Sequence, residues 1–105
     1  MYFAVVKLSF EKGPETTEDK KALRSLVEKL RARFKVCAAA CEDEPSGQAA
    51  VAVTALASSE ERLTHTLDAI TEFCETSGFG RIESEQALLD HLDSLADFES
   101  ASQHD

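Results

Sequence analysis

From Thr17 to Lys35 the chain reads TEDKKALRSLVEKLRARFK, in which Leu23, Leu26, Val27, Leu30 and Phe34 recur at helical spacing. A helix of this kind has one apolar face and must bury it against a second layer. The flanking segments show what that layer is. Residues 2–10, YFAVVKLSF, alternate with period two and are rich in β-formers, which predicts a strand. Tyr2, Ala4, Val6, Leu8 and Phe10 share one face, and Phe3, Val5, Lys7 and Ser9 the other. Gly13-Pro14 ends the strand, and Thr16 or Thr17 can cap the helix.

Residues 36–42, VCAAACE, and 48–57, QAAVAVTALA, read as two further strands around a DEPSG turn, an antiparallel hairpin. Alanine favours helix, but the β-branched Val51, Val53 and Thr54 and the bounding turns decide for strand. A second helix opens at Ser58, with Ser58 and Glu61 at capping-box spacing, and stops at Gly78. Leu63, Leu67, Ile70 and Cys74 line its apolar face. Residues 80–87 read as a polar edge strand, and LLDHLDSLADF from Leu88 as a short amphipathic helix with Leu88, Leu92 and Leu95 together.

The order is β-α-β-β-α-β with an additional C-terminal helix. Two crossovers of the usual hand joined by a hairpin give an α+β ferredoxin-like sandwich with the first and third strands central. The expectation is one domain over residues 1–99 and a flexible tail over 100–105.

Charge is unevenly placed. The chain carries a formal −9, yet seven of its eleven Lys and Arg lie between Lys20 and Lys35, opposed only by Glu28. Such a balance argues against nonspecific nucleic-acid binding over the whole surface and leaves the first helix as the one cationic face. No run approaches the roughly 20 apolar residues of a membrane span, and MYFAVVKLSF lacks a basic leader, so the expectation is a cytoplasmic protein with no membrane partner. Three cysteines, Cys37, Cys41 and Cys74, form no complete set of pairs and read as reduced, buried or half-buried structural thiols.

No catalytic signature emerges. Cys37 and Cys41 share a strand face, but a structural zinc site needs four ligands, and His65 falls on the solvent side of its helix. Neither thiol opens a helix, where a thiolate is stabilised. Gly78-Phe79-Gly80 lacks the third glycine of a phosphate loop. An RNA-reading sheet needs aromatics on both central strands; the first offers Phe3, the third none. No metal and no cofactor are expected.

The ending LRARF-K-V, from Leu30, Arg31, Ala32, Arg33, Phe34 and Val36, with Leu23, Ser25 and Leu26 upstream, resembles the YlxP-like family of small bacterial proteins of unknown function. The resemblance implies a ferredoxin-like fold and, from the genes that commonly neighbour the family's, a translation or ribosome-associated context. Lys35 stands where the family usually has Asn, and Glu15 to Lys20 replace a more basic helix opening.

The reading is a non-enzymatic binding or assembly module. Lys20, Arg24, Arg31 and Lys35 on one flank of the first helix, with Arg33 on the other, form the docking surface for an acidic protein surface or an RNA backbone. The competing account has their stems covering the core edge and their charges in water. A homodimer is also expected, through Phe3, Val5 and Leu56 on the outer sheet face, with Leu92 and Leu95 of the terminal helix covering that face in the same chain or its partner. The rival classes are a small thiol enzyme using Cys37 or Cys41 and a purely structural self-associating subunit.

Overall fold

A computed structural model of the chain describes residues 1–42 and 46–93. The elements are β1 (Tyr2–Phe10), α1 (Thr17–Phe34), β2 (Cys37–Glu42), β3 (Ala49–Ala57), α2 (Glu60–Thr76) and β4 (Ile82–His91). The strands form one antiparallel sheet in the order β2-β3-β1-β4, with β1 and β3 central. Both helices lie on one face of it.

The alternation of β1 turns Val6, Leu8 and Phe10 inward, and its register with β3 places Val6 opposite Val53 and Leu8 opposite Val51. Leu23, Leu26, Val27 and Leu30 of α1 and Ile70 and Cys74 of α2 close this core. Full burial of each large aliphatic side chain contributes about 1.5–3 kcal/mol. Phe10 meets Phe79 edge-on at 4.9 Å between centroids, and Phe34 meets Phe73 at 5.7 Å. A smaller cluster of Ala4, Ala55 and Leu63 continues the layer toward the start of β1.

Local chemistry sets the ends of α1. Thr16 is its N-cap: the Asp19 N–H donates to Thr16 Oγ1 at 3.0 Å, and the Thr16 N–H donates back to Asp19 Oδ2 at 3.3 Å. The Lys12 ammonium, 3.3 Å from Asp19 Oδ1, holds this carboxyl below its ordinary pKa, and the Thr16 N–H adds to the effect. At the other end Lys35 turns into the left-handed region at φ 53° and gives its N–H to the Arg31 carbonyl. Before α1, Gly13 passes so close to Gly47 that a Cβ would strike the Gly47 carbonyl oxygen.

Three expectations are corrected. The helix expected from Leu88 does not begin there, because Leu88 to His91 continue β4 and pair with Val5, Ala4, Phe3 and Tyr2 of β1; the rest of its expected span, beyond Asp93, lies outside the described residues. Leaving that half of a central strand unpaired would strand its backbone donors and acceptors, which outweighs the amphipathic pattern of the leucines. Leu95, like the tail at 100–105, lies outside the described residues. The cap of α2 is Ser59 rather than Ser58, accepting from the Arg62 N–H at 3.2 Å. Finally, Cys37 and Cys41 are exposed; only Cys74 is buried. β2 is an edge strand, and neither helix covers the sheet face that these two thiols occupy.

Candidate partner-docking site

α1 packs against β2 with its apolar stripe, and the basic residues beside the stripe therefore border the sheet edge. Lys20, Arg24 and Arg31 line a groove of about 540 Å³ whose opposite wall is Ala39, Ala40, Cys41 and Glu42 of β2. The residues at 20, 24 and 31 recur at steps of four and seven, which keeps them on one flank of the helix. Glu28 lies in the same lining, so the groove sets three cations against two carboxylates.

Arg31 is anchored. Its Nε donates to the Ala38 carbonyl at 2.8 Å, tying α1 to the edge strand. Its remaining guanidinium nitrogens stay on the exposed helix flank. Lys20 and Arg24 are exposed along the same flank.

Two residues expected in the basic surface sit elsewhere. Arg33 stands over the aromatic pair between α1 and α2, 5.9 Å from the Phe34 centroid and 5.3 Å from the Phe73 centroid. Its charge is engaged with ring faces, which favour a cation. Lys35 has left the helix as its C-cap and does not line the groove. Lys29 borders a separate hollow of about 410 Å³ between the helices, with Ser25, Phe73 and Gly78. The single cationic stripe of the sequence is thus divided, with its usable part facing β2.

Among the described residues, no element covers the sheet face away from the helices. The register sets Leu56 beside Phe3, and Val5 beside Thr54 and Leu88. Val5 is 46% exposed, Leu56 68% and Leu88 58%, an apolar strip at one end of this face. Leu92 follows β4 and is also exposed, its N–H bonded to the Met1 carbonyl. Cys37, Ala39, Ala52 and Thr54 continue the face with small side chains around a shallow hollow of about 260 Å³.

Burial pushes the pKa of the Cys74 thiol up to about 12, and the charge of Glu75 adds to the rise. A thiol held protonated inside the core packs; it does not attack. Among the described residues no three His, Cys, Asp or Glu side chains gather as a metal site requires. Among the same residues no helix is long and apolar enough to cross a membrane.

Wheel geometry within α1 locates Lys20, Arg24 and Arg31. It does not find the facing wall: the expected order, with the first and third strands central, already puts β2 at an edge, but nothing in CAAACE announces that α1 lies along it. No curated protein matches the chain. The sequence model of the family described as "Protein of unknown function (DUF503)" covers residues 17–87, from the first turn of α1 into β4, and the chain belongs to that family of YlxP-like proteins.

Proposed function

We propose that this ferredoxin-like domain is a non-enzymatic cytosolic binding or assembly module that docks an anionic partner along the groove between α1 and β2. The observation that carries the reading is the convergence of Lys20, Arg24 and Arg31 on one groove in a chain of net charge −9. The acidic remainder repels polyanions at long range, so binding is modest and salt-sensitive. A translation-associated partner would agree with the family's gene neighbourhood. The test is titration of the full chain with poly-glutamate and with oligouridylate across a salt series. With three heads engaged on single-stranded RNA, the log–log salt slope is about −2. The double reversal Lys20→Glu/Arg24→Glu should abolish binding with the thermal transition retained; Arg31 is left intact because of its bond to β2. Equal binding by parent and reversal would reduce the stripe to a solvated helix flank.

A second reading rests on the exposed Val5, Leu56 and Leu88. They support a homodimer through the open sheet face, which bears on self-association rather than on the groove.

A further inference from the structure

The two edges of this sheet are built differently. β4 has charged residues along it, Glu83, Glu85 and Asp90, and its pairing with β1 shifts register between Ser9 and Phe10. Charges and irregularities of that kind keep an edge from recruiting another strand. β2 is protected less: its sequence is CAAACE, with a single charge, Glu42, at its end and no Lys or Pro, and its pairing with β3 is regular over all six residues.

The direction of each backbone group on β2 follows from the ladder. Ala49 at the start of β3 donates its N–H to Lys12, on the β1 side. Alternation along β3 then turns its even-numbered residues toward β2, where their partners are Cys37, Ala39 and Cys41. Ala38, Ala40 and Glu42 therefore turn their N–H and C=O groups outward. The Ala38 carbonyl confirms this direction, since it is the one that Arg31 reaches from outside the sheet. Among the described residues no loop or helix backbone bonds to Ala40 or Glu42 on that side.

The basic flank of α1 runs alongside this edge. From Lys20 to Arg31 the helix rises about 16 Å, the length of about five residues of strand. The edge and the flank together form one groove, and the alanines of β2 leave it open.

Building on the proposed anionic docking, we infer that this groove takes an extended acidic segment of a partner protein, which adds to β2 as a fifth strand and directs its carboxylates at Lys20 and Arg24. Backbone bonds to Ala40 and Glu42 supply the docking register, and the helix flank supplies the preference for acidic side chains. A second copy does not fit as well through the same edge. Pairing β2 with β2 about a two-fold axis would bring two basic α1 flanks together. Nucleic acid has no strand to add, and the open face beside β2 carries Ala39, Ala52 and Thr54 where base stacking would need aromatics.

The test is amide hydrogen exchange by NMR on the full, isotope-labelled chain. The probe is a synthetic peptide of about eight residues, alternating Glu and Val, long enough to span the edge. Its controls are the same peptide N-methylated at alternate amides, and oligouridylate. Strand addition slows exchange at Ala40 and Glu42 by roughly tenfold or more and leaves Cys37, Ala39 and Cys41 unchanged, because those already pair with β3. The N-methylated peptide gives no such protection. Ala40→Pro removes an outward N–H that no ladder bond uses, and should lose the peptide while keeping the thermal transition. If that variant does not fold, Glu28→Lys serves instead: it removes an opposing carboxylate and should tighten the peptide by about two- to fivefold.

Salt-sensitive peptide binding without protection of Ala40 and Glu42 overturns strand addition and leaves the docking reading standing. Protection that survives Lys20→Glu/Arg24→Glu overturns the docking reading and leaves strand addition. Slowing of the same amides by raised protein concentration alone makes the edge a self-interface, and binding of oligouridylate in place of the peptide makes it a nucleic-acid groove; either overturns the acidic segment.

Discussion

Lys35 holds a conformation that its side chain disfavours. At φ 53° and ψ 46° it is the only non-glycine residue of positive φ among those described. A left-handed conformation costs an L-residue about 1–2 kcal/mol, and glycine is the usual occupant of such a helix end. Lys35→Gly should therefore raise stability by about 0.5–1 kcal/mol, read from the denaturant midpoint, with the groove unaltered. Cys74 makes a pH prediction. Its thiol has an ordinary pKa of 9.0 and is pushed to about 12 by burial in the fold. Between those values the unfolded chain has lost a proton that the folded chain keeps, so stability falls as pH rises through that window. Below pH 9 the thiol is protonated in both states and contributes no pH dependence. Denaturation midpoints of Cys74→Ala measured across the window should fall less steeply than those of the parent. With a thiol reagent at neutral pH, Cys37 and Cys41 should react in the folded protein and Cys74 only after unfolding; prompt labelling of all three would contradict the buried position of Cys74.

At the scale of elements, α1 carries both the core and the groove. Leu30 is fully buried between helix and sheet, and Leu30→Ala should cost about 2–5 kcal/mol by chemical denaturation. The cap is a smaller contribution: Thr16→Ala should cost about 1 kcal/mol. The Asp19 carboxyl, held low first by Lys12, supports this cap as a carboxylate, and its support is lost as pH falls through the depressed value. Thr16→Ala keeps both the Lys12 ammonium and the backbone N–H of residue 16 beside this carboxyl, so parent and variant should lose the same support in acid, whereas Asp19→Asn should decline less steeply than either. β4 shows the opposite balance. Its apolar residues are spaced for a helix, yet the unpaired side of β1 recruits them as a strand. Leu88 consequently stands on the open face, and Leu88→Lys should change stability by no more than about 0.5 kcal/mol.

For the molecule as described, one face of the sheet is covered by two helices, and no described element covers the other. Val5, Leu56 and Leu88 form an exposed apolar strip there, the kind of surface that marks an interaction site. If two copies meet through it, sedimentation at tens of micromolar should give a dimer, and Leu56→Glu/Leu88→Glu a monomer with an unchanged thermal transition. A parent sedimenting only as monomer removes the dimer. Because the groove lies at the β2 edge and the strip includes the β4 edge, the two surfaces are separable. Reversing Lys20 and Arg24 should leave any dimer intact, which distinguishes a docking module from a subunit whose basic helix answers its own acidic surface.

What the chain states locally survives folding with little change. Period-two alternation in YFAVVKLSF, the apolar stripe of α1 and the Gly78 stop are set by neighbours a few residues away, and each element stands where its pattern puts it. The inward set Val6, Leu8 and Phe10 and the outward set Phe3 and Val5 follow from the pleat alone. The features decided by tertiary structure depend on partners distant in sequence. The path of Leu88 to His91 is set by the vacant hydrogen-bonding side of β1 some eighty residues earlier, as the ladder register shows. Exposure of Cys37 and Cys41 depends on β2 being an edge, and edge position is a property of the sheet order. The basic stripe is legible on a wheel, but its division among a groove, an aromatic pair and a helix cap depends on where β2 and α2 come to lie. Backbone pairing and layer packing act between segments, and a periodicity within one segment holds no information about which neighbour it will meet.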